Sequence, residues 1–387
     1  MMGSIIALFW LTLGLILWSL AGYGLVWIAL ARLFGRRGVV TGEAPLHATM
    51  LIAARNEAAT IRAKMQTVLA QDCGPHRVDV MVVSDGSEDS TLAEALATGD
   101  PRVRAFQTAR HGGKAAALNA GLARIDADVV IFSDANSLLS VGALRHLLAP
   151  FANPAVGGVC GRLRPQTHRG GWLAGVEALF WAYDNALKAA EGALGGVVSA
   201  QGTLYALRRS LVPGEVPSAM ADDFYISVQA PAQGMRLAFA PRAEAVEEVT
   251  ARTRDEFMRR VRSTERGWRA LWAMRRLMNP ARHGLYAVQL ISHKLIRRLV
   301  AFLLPLLLVL NLIVAGQGPV YLSLALAQLA FYAVAGLAIG SDRVRRLPGA
   351  RQAAFFVMGH MAMGLGILRA AMGVQSQRWS PVRSVSK

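Results

Sequence analysis

The chain has 387 residues, which is enough for about two domains at roughly 150 residues each. Hydrophobic residues make up 53% of it and charged residues only 17%, which excludes a disordered chain. Its formal net charge of +17 leaves two classes of anionic partner open, nucleic acid and lipid. Two cysteines, Cys73 and Cys160, are too few for a disulfide framework and lack metal-ligand spacing, so we expect buried thiols in a reducing compartment.

The first apolar segment, Ile5 to Ala31, contains no charged residue. About 27 residues at roughly 1.5 Å each span a hydrocarbon core of about 30 Å. Because the segment lacks a basic start and a small-residue cleavage site, it is interpreted as a retained anchor, residues 1–34. Arg32, Arg36 and Arg37 lie at its end, and the positive-inside rule places them in the cytoplasm.

The middle of the chain, residues 45–252, alternates short apolar runs with helical patterns. This alternation predicts an α/β catalytic domain with helices on both faces of a sheet. The predicted strands are 47–53, 78–83, 102–106 and 128–132, and the predicted helices are 58–69, 91–97 and 114–124. Each run ends abruptly at polar residues, and ligands of open α/β sheets bind beyond the carboxyl ends of the strands. The polar ends of these strands are therefore where we expect a site.

Several short motifs follow one another at these polar positions. They are ARNE at 54–57, SDGS at 84–87, GKAAALN at 113–119, DAN at 134–136, QGT at 201–203, ADD at 221–223 and an arginine-rich segment at 259–267. Each alone could be a turn or a helix cap. In this order they resemble the membrane-bound family 2 glycosyltransferases, over about residues 50–298. The resemblance implies a Rossmann-like domain that binds a nucleotide diphospho-sugar and transfers the sugar with inversion.

The resemblance also implies roles for individual residues. Those assigned to donor binding are Ala53, Arg55, Glu57, Asp85, Lys114 and Asp134. Among them, Asp85 would accept a hydrogen bond from the base, usually uracil, and Lys114 would lie near the phosphates. Asp134 would also help to hold Mg²⁺ or Mn²⁺, since hard cations take carboxylate oxygens together with substrate phosphates. Asn136 stands where the family has a second acid, so one negative charge is missing and we expect weaker metal binding.

Asp223 is the predicted general base, which would deprotonate the acceptor hydroxyl as it attacks the anomeric carbon. A neighbouring carboxylate could raise its pKa. The residues assigned to the acceptor or the diphosphate are Gln201, Gly202, Asp222, Arg260, Arg262 and Arg266. For each of these arginines, contact with lipid headgroups from a surface helix is an equal alternative to contact with the diphosphate.

Processive relatives such as cellulose and hyaluronan synthases carry a Gln/Arg-x-x-Arg-Trp motif whose tryptophan stacks on the acceptor sugar. Here Trp268 follows Gly267, and no Arg-Trp pair stands in register. This departure weakens the expectation of a long polymer product.

Residues 253–298 alternate apolar and basic side chains, which predicts amphipathic helices at the membrane interface. From Arg252 to Arg298 there are 13 Lys or Arg against three acids, so lipid headgroups explain the basic excess better than nucleic acid does. Transmembrane segments are predicted within 299–374, with apolar runs at 299–316, 319–340 and 353–372, followed by a basic tail, 375–387.

The charges and the number of C-terminal runs disagree. Arg343, Arg345 and Arg346 place the loop after the second run in the cytoplasm, and three crossings would then put the basic tail outside. Two explanations stay open: the last run does not cross, or the tail is an exception to the rule.

The function predicted from the sequence is transfer of a sugar from a nucleotide donor, UDP-linked by resemblance, to a lipid-linked saccharide or surface polysaccharide. The enzyme is predicted in a bacterial inner membrane with its catalytic domain in the cytoplasm. The alternatives are a processive synthase that also extrudes its polymer and, less favoured, a non-catalytic scaffold. A transporter is disfavoured because the apolar runs contain almost no ionisable residues.

Overall fold

The computed structural model describes residues 1–35, 42, 44–166, 172–248 and 253–375. Arg36, Arg37 and, apart from residue 375, the predicted basic tail lie outside the described residues. The strands are β1 (His47–Ala54), β2 (Arg77–Ser84), β3 (Val103–Gln107), β4 (Val129–Phe132), β5 (Leu138–Leu139), β6 (Val156–Gln166), β7 (Tyr205–Arg208) and β8 (Arg236–Glu248). The helices are α1 (Met2–Leu17), α2 (Tyr23–Phe34), α3 (Ala58–Leu69), α4 (Thr91–Leu96), α5 (Lys114–Leu122), α6 (Ala143–Leu148), α7 (Trp172–Leu194), α8 (Asp222–Ser227), α9 (Gln229–Ala232), α10 (Thr253–Ala273), α11 (Pro280–Leu290), α12 (Arg297–Val314), α13 (Pro319–Gly340), α14 (Asp342–Arg345) and α15 (Ala350–Ala371).

One eight-stranded mixed sheet, in the order β3-β2-β1-β4-β7-β6-β8-β5, organises the catalytic domain. The strands from β3 to β4 are parallel, whereas β7 runs antiparallel to both β4 and β6. The predicted α/β fold is confirmed, and so are its first four strands to within one residue at each end. The remaining strands, β5 to β8, which pair in both directions, were not predicted.

Both faces of the sheet are covered, as the sequence predicts. Along β1, Met50 and Ile52 pack with α3 and α6, while Leu51 and Ala53 pack with α5 on the other face. Strands buried on both faces are typical of parallel sheets and explain the continuous apolar runs. In register, Leu51 lies beside Met81 of β2 and Phe132 of β4, so the three strands end at one edge.

Among the described residues, four helical segments are long and apolar enough to cross a membrane: Met2–Phe34, Pro280–Gln317, Pro319–Gly340 and Ala350–Ala371. The second begins well before residue 299, because α11 continues into α12 through a π-helical segment, Ile291–Ile296. A second π-helical segment, Trp18–Gly22, joins α1 to α2, and Trp18 Nε1 donates to Ser292 Oγ at 3.1 Å. The two segments therefore contact each other beneath the catalytic domain.

Candidate active site

Asp85 follows β2 and anchors the loop that precedes α5. Its side chain is completely buried and accepts hydrogen bonds from His111 Nδ1 at 2.7 Å and from the backbone N–H groups of Gly112 and Gly113 at 2.8 Å each. Gly113 has φ +93°, a conformation that favours glycine. Because the side chain is completely buried, the contact with a base that resemblance implies is not available to Asp85 in this structure. In this structure, its carboxylate positions the loop.

The predicted nucleotide-binding residues of the first loop divide into two groups. Ala53 lines a hollow together with Lys114 and Asp134. Arg55 lies behind it and donates to the carbonyl oxygens of Asp85 at 2.8 Å and Gly86 at 2.9 Å, which ties the first loop to the second.

Glu57 lies at the start of α3, outside this hollow, and accepts a hydrogen bond from Thr60 Oγ1 at 2.6 Å. The structure thus brings Ala53 to the site and gives Arg55 and Glu57 contacts within the surrounding loops.

Lys114 joins three parts of the predicted site. Its ammonium lies 2.7 Å from Asp134 Oδ1 and 3.0 Å from Asp222 Oδ2. Burial disfavours the charge of Lys114, but the two carboxylates outweigh that effect and raise its pKa. Lys114 is therefore a permanent cation that draws together the start of α5, the end of β4 and the start of α8.

Gly202 leaves the second oxygen of Asp134 accessible. A Cβ atom at this position would lie 3.1 Å from Asp134 Oδ2 and 3.6 Å from Lys114 Nζ. Any side chain here would occupy the space beside both charged groups. Gln201 instead faces α7, where its Nε2 donates to Asp184 Oδ2 at 3.3 Å.

Asp223 differs from Asp222 in its surroundings. It accepts a hydrogen bond from the Phe224 N–H at 2.7 Å, and within the described residues no ion pair joins it to Lys114. Burial, and next the charge of Asp222, raise the pKa of Asp223 to about 6, although Lys114 opposes the shift. A carboxylate with this pKa is ionised at neutral pH and is a stronger base than an ordinary aspartate.

Two residues near Asp134 were not predicted from the sequence. Glu247 of β8 accepts a hydrogen bond from Asn136 Nδ2 at 3.2 Å. Burial, and next the charge of Asp134, raise its pKa to about 7. The sequence signal that could have indicated Glu247 is the presence of acidic residues among the small apolar residues of β8.

Lys64 of α3 is the other unpredicted residue. It is completely buried, and its ammonium donates to Ser133 Oγ at 2.6 Å and to the Ser137 carbonyl at 2.5 Å. Ser133 Oγ in turn donates to the Thr203 carbonyl at 2.6 Å. Lys64 thus holds both ends of the 133–137 loop and, through Ser133, the loop that contains Gly202.

The predicted arginines of α10 are placed differently from one another. The guanidinium carbon of Arg260 lies 4.6 Å from the ring centre of Phe355, and its Nε lies 2.5 Å from Glu256 Oε1. In this structure Arg260 therefore faces α15 and not the predicted diphosphate site. Arg262 is half-buried on the same helix. The backbone carbonyl of Arg266 accepts from the Ala221 N–H at 3.2 Å and ties α10 to the start of α8.

Arg298 of α12 is a further residue near the site that was not predicted from the sequence. Its charge interacts with Asp223, and its Nη2 lies 2.7 Å from where a Cβ of Gly267 would be. The glycine that displaces Trp268 from the processive motif therefore makes room for this guanidinium.

Negative charge exceeds positive charge around Lys114. Asp222 contacts it, the charges of Asp134 and Asp223 interact with it, and Glu247 is close enough to interact with Asp134. Among the described residues, no three His, Cys, Asp or Glu side chains are grouped so as to hold an ion by themselves. One carboxylate with an accessible oxygen does suit a cation whose other ligands are phosphate oxygens. Asp134 is that carboxylate, so the residues fit a divalent ion that arrives with a diphosphate.

A family model described as "Glycosyltransferase like family 2" matches residues 45–275, which contain all these acids and Lys114. The chain belongs to glycosyltransferase family 2. An N-acetylglucosaminyltransferase of Azorhizobium caulinodans is 25% identical to this glycosyltransferase over 46% of the chain and 49% of the relative. A beta-monoglucosyldiacylglycerol synthase of Synechocystis sp. is 32% identical over 28% of the chain and 23% of the relative. The chain spans about half the length, or less, of these curated relatives.

The fold also matches a solved structure. The mannosyltransferase PcManGT from Pyrobaculum calidifontis, in complex with GDP-Man and Mn²⁺, superimposes with a TM-score of 0.70 at 20% identity, covering 96% of this chain and 99% of that one. At this identity the match concerns the fold alone. It extends the similarity beyond the catalytic domain of this glycosyltransferase to its apolar helices.

Proposed function

We propose that this glycosyltransferase moves a sugar from a UDP-linked donor to a lipid-linked saccharide or a surface polysaccharide, with inversion at the anomeric carbon. The observation that carries the proposal is the arrangement of Lys114 between Asp134 and Asp222, with Asp223 beside them. It combines a cation for phosphate, an accessible carboxylate and a base with a raised pKa. The relative named for a diacylglycerol product supports a lipid-borne acceptor.

In the proposed reaction Asp223 accepts the proton of the acceptor hydroxyl. The acceptor oxygen then forms a bond to the anomeric carbon, the bond from that carbon to the phosphate oxygen breaks, and UDP leaves. Lys114 is placed to donate hydrogen bonds to the diphosphate. Asp134, with Asn136, would hold a Mg²⁺ or Mn²⁺ ion, whose chemistry when bound is to neutralise the charge of the leaving group.

The membrane setting is part of the proposal. We place the protein in a bacterial inner membrane with its catalytic domain in the cytoplasm, where nucleotide sugars are made. The apolar helices and the arginines at their ends support this orientation. Membrane lipids and the acceptor are the proposed partners.

The test is release of nucleoside diphosphate by the purified full chain with a panel of UDP- and GDP-sugars, a divalent ion and extracted membrane lipids. Asp223→Asn should lower kcat by about 10²- to 10⁴-fold, the usual contribution of a general base, while the donor Kd stays unchanged. Asp72→Asn, at an exposed surface acid, is the matched control. Equal turnover by Asp223→Asn and the wild type would refute the role of Asp223. Absence of turnover with every donor would refute the proposed function.

A further inference from the structure

The last apolar helix, α15, packs lengthwise on α10. Near its start, the Phe355 ring lies 4.6 Å from the guanidinium carbon of Arg260. Near its end, the Val374 carbonyl accepts a hydrogen bond from Arg269 at 2.5 Å. The two helices therefore run side by side in the same direction, over about 14 Å of α10 at roughly 1.5 Å per residue.

The contact between α10 and α15 is close because of small residues on α15. A Cβ at Gly366 would lie 2.7 Å from the Val261 carbonyl and 2.8 Å from the Thr264 Cβ. Beside this contact, Arg369 lies 3.6 Å from the buried Glu265. The glycine contact and the ion pair show that α10 and α15 are closely packed.

The charges of α10 exclude it from the hydrocarbon core. Its arginines are Arg254, Arg259, Arg260, Arg262, Arg266 and Arg269. Each arginine at the centre of a bilayer is costly, so a helix with this many stays at the surface. Because α15 follows α10 along its length, α15 stays at the surface as well.

Contacts with the α12–α13 hairpin lead to the same conclusion. The hairpin turns at residues 315–318, between the end of α12 and the start of α13. α15 meets α13 at Phe331, whose ring centre is 5.7 Å from that of Phe356, and at Ala338. It meets α12 at Ala301, 3.6 Å from where a Cβ of Gly364 would be. All these contacts lie in the half of the hairpin that is away from its turn, where α12 begins and α13 ends.

A side of α15 adjacent to the one that contacts α10 carries large apolar side chains. Met361, Leu365, Leu368 and Met372 are exposed and recur at intervals of four, three and four residues, which is one face of a helix. This stripe is next to the hairpin that enters the membrane and next to the arginines of α10. The lipid leaflet is the occupant that matches both its apolar surface and its basic border.

We propose that α15 does not cross the membrane but lies with α10 in the interface, with its apolar stripe in the leaflet beside the catalytic domain. The chain then crosses three times, through α1–α2, α12 and α13. The end of α15 is on the same side of the membrane as the catalytic domain. This arrangement removes the conflict found in the sequence, because the arginine-rich loop and the C-terminal tail fall on one side. The proposal goes beyond the proposed reaction and does not depend on its donor or acceptor.

The test is labelling of single cysteines by a membrane-impermeant maleimide in spheroplasts and in sealed inverted vesicles. Cys73 and Cys160 are replaced by serine, and one cysteine is added at Val141, Gln317 or Gln375. Val141 is 94% exposed on the catalytic domain, and Gln317 lies in the hairpin turn. We expect Gln375→Cys to be labelled from the same side as Val141→Cys and from the side opposite to Gln317→Cys.

Labelling of Gln375→Cys from the same side as Gln317→Cys would overturn the proposal. If the chain without its native cysteines does not fold, a reporter active on only one side of the membrane is fused after Lys387 of the native sequence. Alkaline phosphatase should then be inactive and green fluorescent protein fluorescent when the catalytic domain is cytoplasmic. An active phosphatase fusion would refute the proposal. The side of the catalytic domain is checked independently by labelling of Val141→Cys or by protease access.

Discussion

Replacing Lys64 by methionine tests whether a buried charge holds the loop around Asp134. Lys64 is completely buried, and the groups that receive its hydrogen bonds, Ser133 and Ser137, carry no charge. Burial lowers the pKa of Lys64 from 10.5 to about 7, although the charges of Asp134 and Glu247 oppose the shift. Methionine has a similar length and no charge, so Lys64→Met removes the ammonium with little change of shape.

The size of the effect follows from the difference in the pKa of Lys64 between the folded and the unfolded chain. The folded chain loses this proton near pH 7, whereas the unfolded chain retains it up to about pH 10.5. The unfolded state therefore binds more protons in this window, and the stability of the wild type rises with pH by about 1.4 kcal/mol per unit. Between pH 7 and pH 9 the free energy of unfolding of the wild type should increase by about 2 kcal/mol relative to that of Lys64→Met, because Lys64 is already half deprotonated in the folded chain at pH 7.

The assay is equilibrium unfolding in detergent micelles, followed by tryptophan fluorescence at several pH values. Lys64→Gln, which retains a hydrogen-bond donor but does not titrate, should have the pH dependence of Lys64→Met. In turnover, Lys64→Met should lose about tenfold or more in kcat, and Lys64→Gln should recover part of it, because Ser133 and Ser137 regain a donor. An identical pH dependence for the wild type and Lys64→Met would refute the burial argument.

Three further predictions concern the groups around Lys114. Gly202→Ala places a methyl group 3.1 Å from Asp134 Oδ2, so the affinities for donor and Mn²⁺ should fall about tenfold by calorimetry while the unfolding midpoint is unchanged. Asp85→Asn weakens the charge-assisted hydrogen bonds that hold the loop before Lys114. The donor Kd should therefore rise, and the unfolding midpoint measured by differential scanning fluorimetry should fall by several degrees. In a profile of kcat/KM against pH, the value should decline below pH about 6 as Asp223 becomes protonated. Asp222→Asn should move this decline to lower pH, because it removes a charge that raises the pKa of Asp223.

The parallel half of the sheet could be predicted from the sequence because its strands are buried on both faces. Such strands are continuous apolar runs with abrupt polar ends, and β1, β2 and β4 all have this form. The other half, β5 to β8, pairs in both directions and has a weaker pattern: β8 mixes Arg242, Glu244 and Glu247 with small apolar residues. Its pairing with β6 also depends on residues about 80 positions apart, which no local pattern records.

The predicted site residues illustrate the same limit. Asp134, Lys114 and Asp222 meet because each begins or ends an element at one edge of the sheet, and that edge is predictable. Lys64 could not be distinguished from a solvated lysine, because its burial depends on the 133–137 loop that crosses over it. Arg260 shows the converse case, since the sequence gives its charge but not the side of α10 on which it lies.

The charge of Lys114 gives two adjacent aspartates, Asp222 and Asp223, different surroundings. Lys114 contacts Asp222 directly, whereas the hydrogen-bond donor of Asp223 is a backbone N–H. The pKa of Asp223 is raised to about 6. The same cation contacts Asp134, so a diphosphate that binds Lys114 must share it with both carboxylates. A divalent ion bound with the donor would relieve that competition, because it supplies the positive charge that Lys114 would otherwise divide. Lys114 also opposes the raised pKa of Asp223, so in the proposed function one lysine acts on both the donor phosphates and the proposed base.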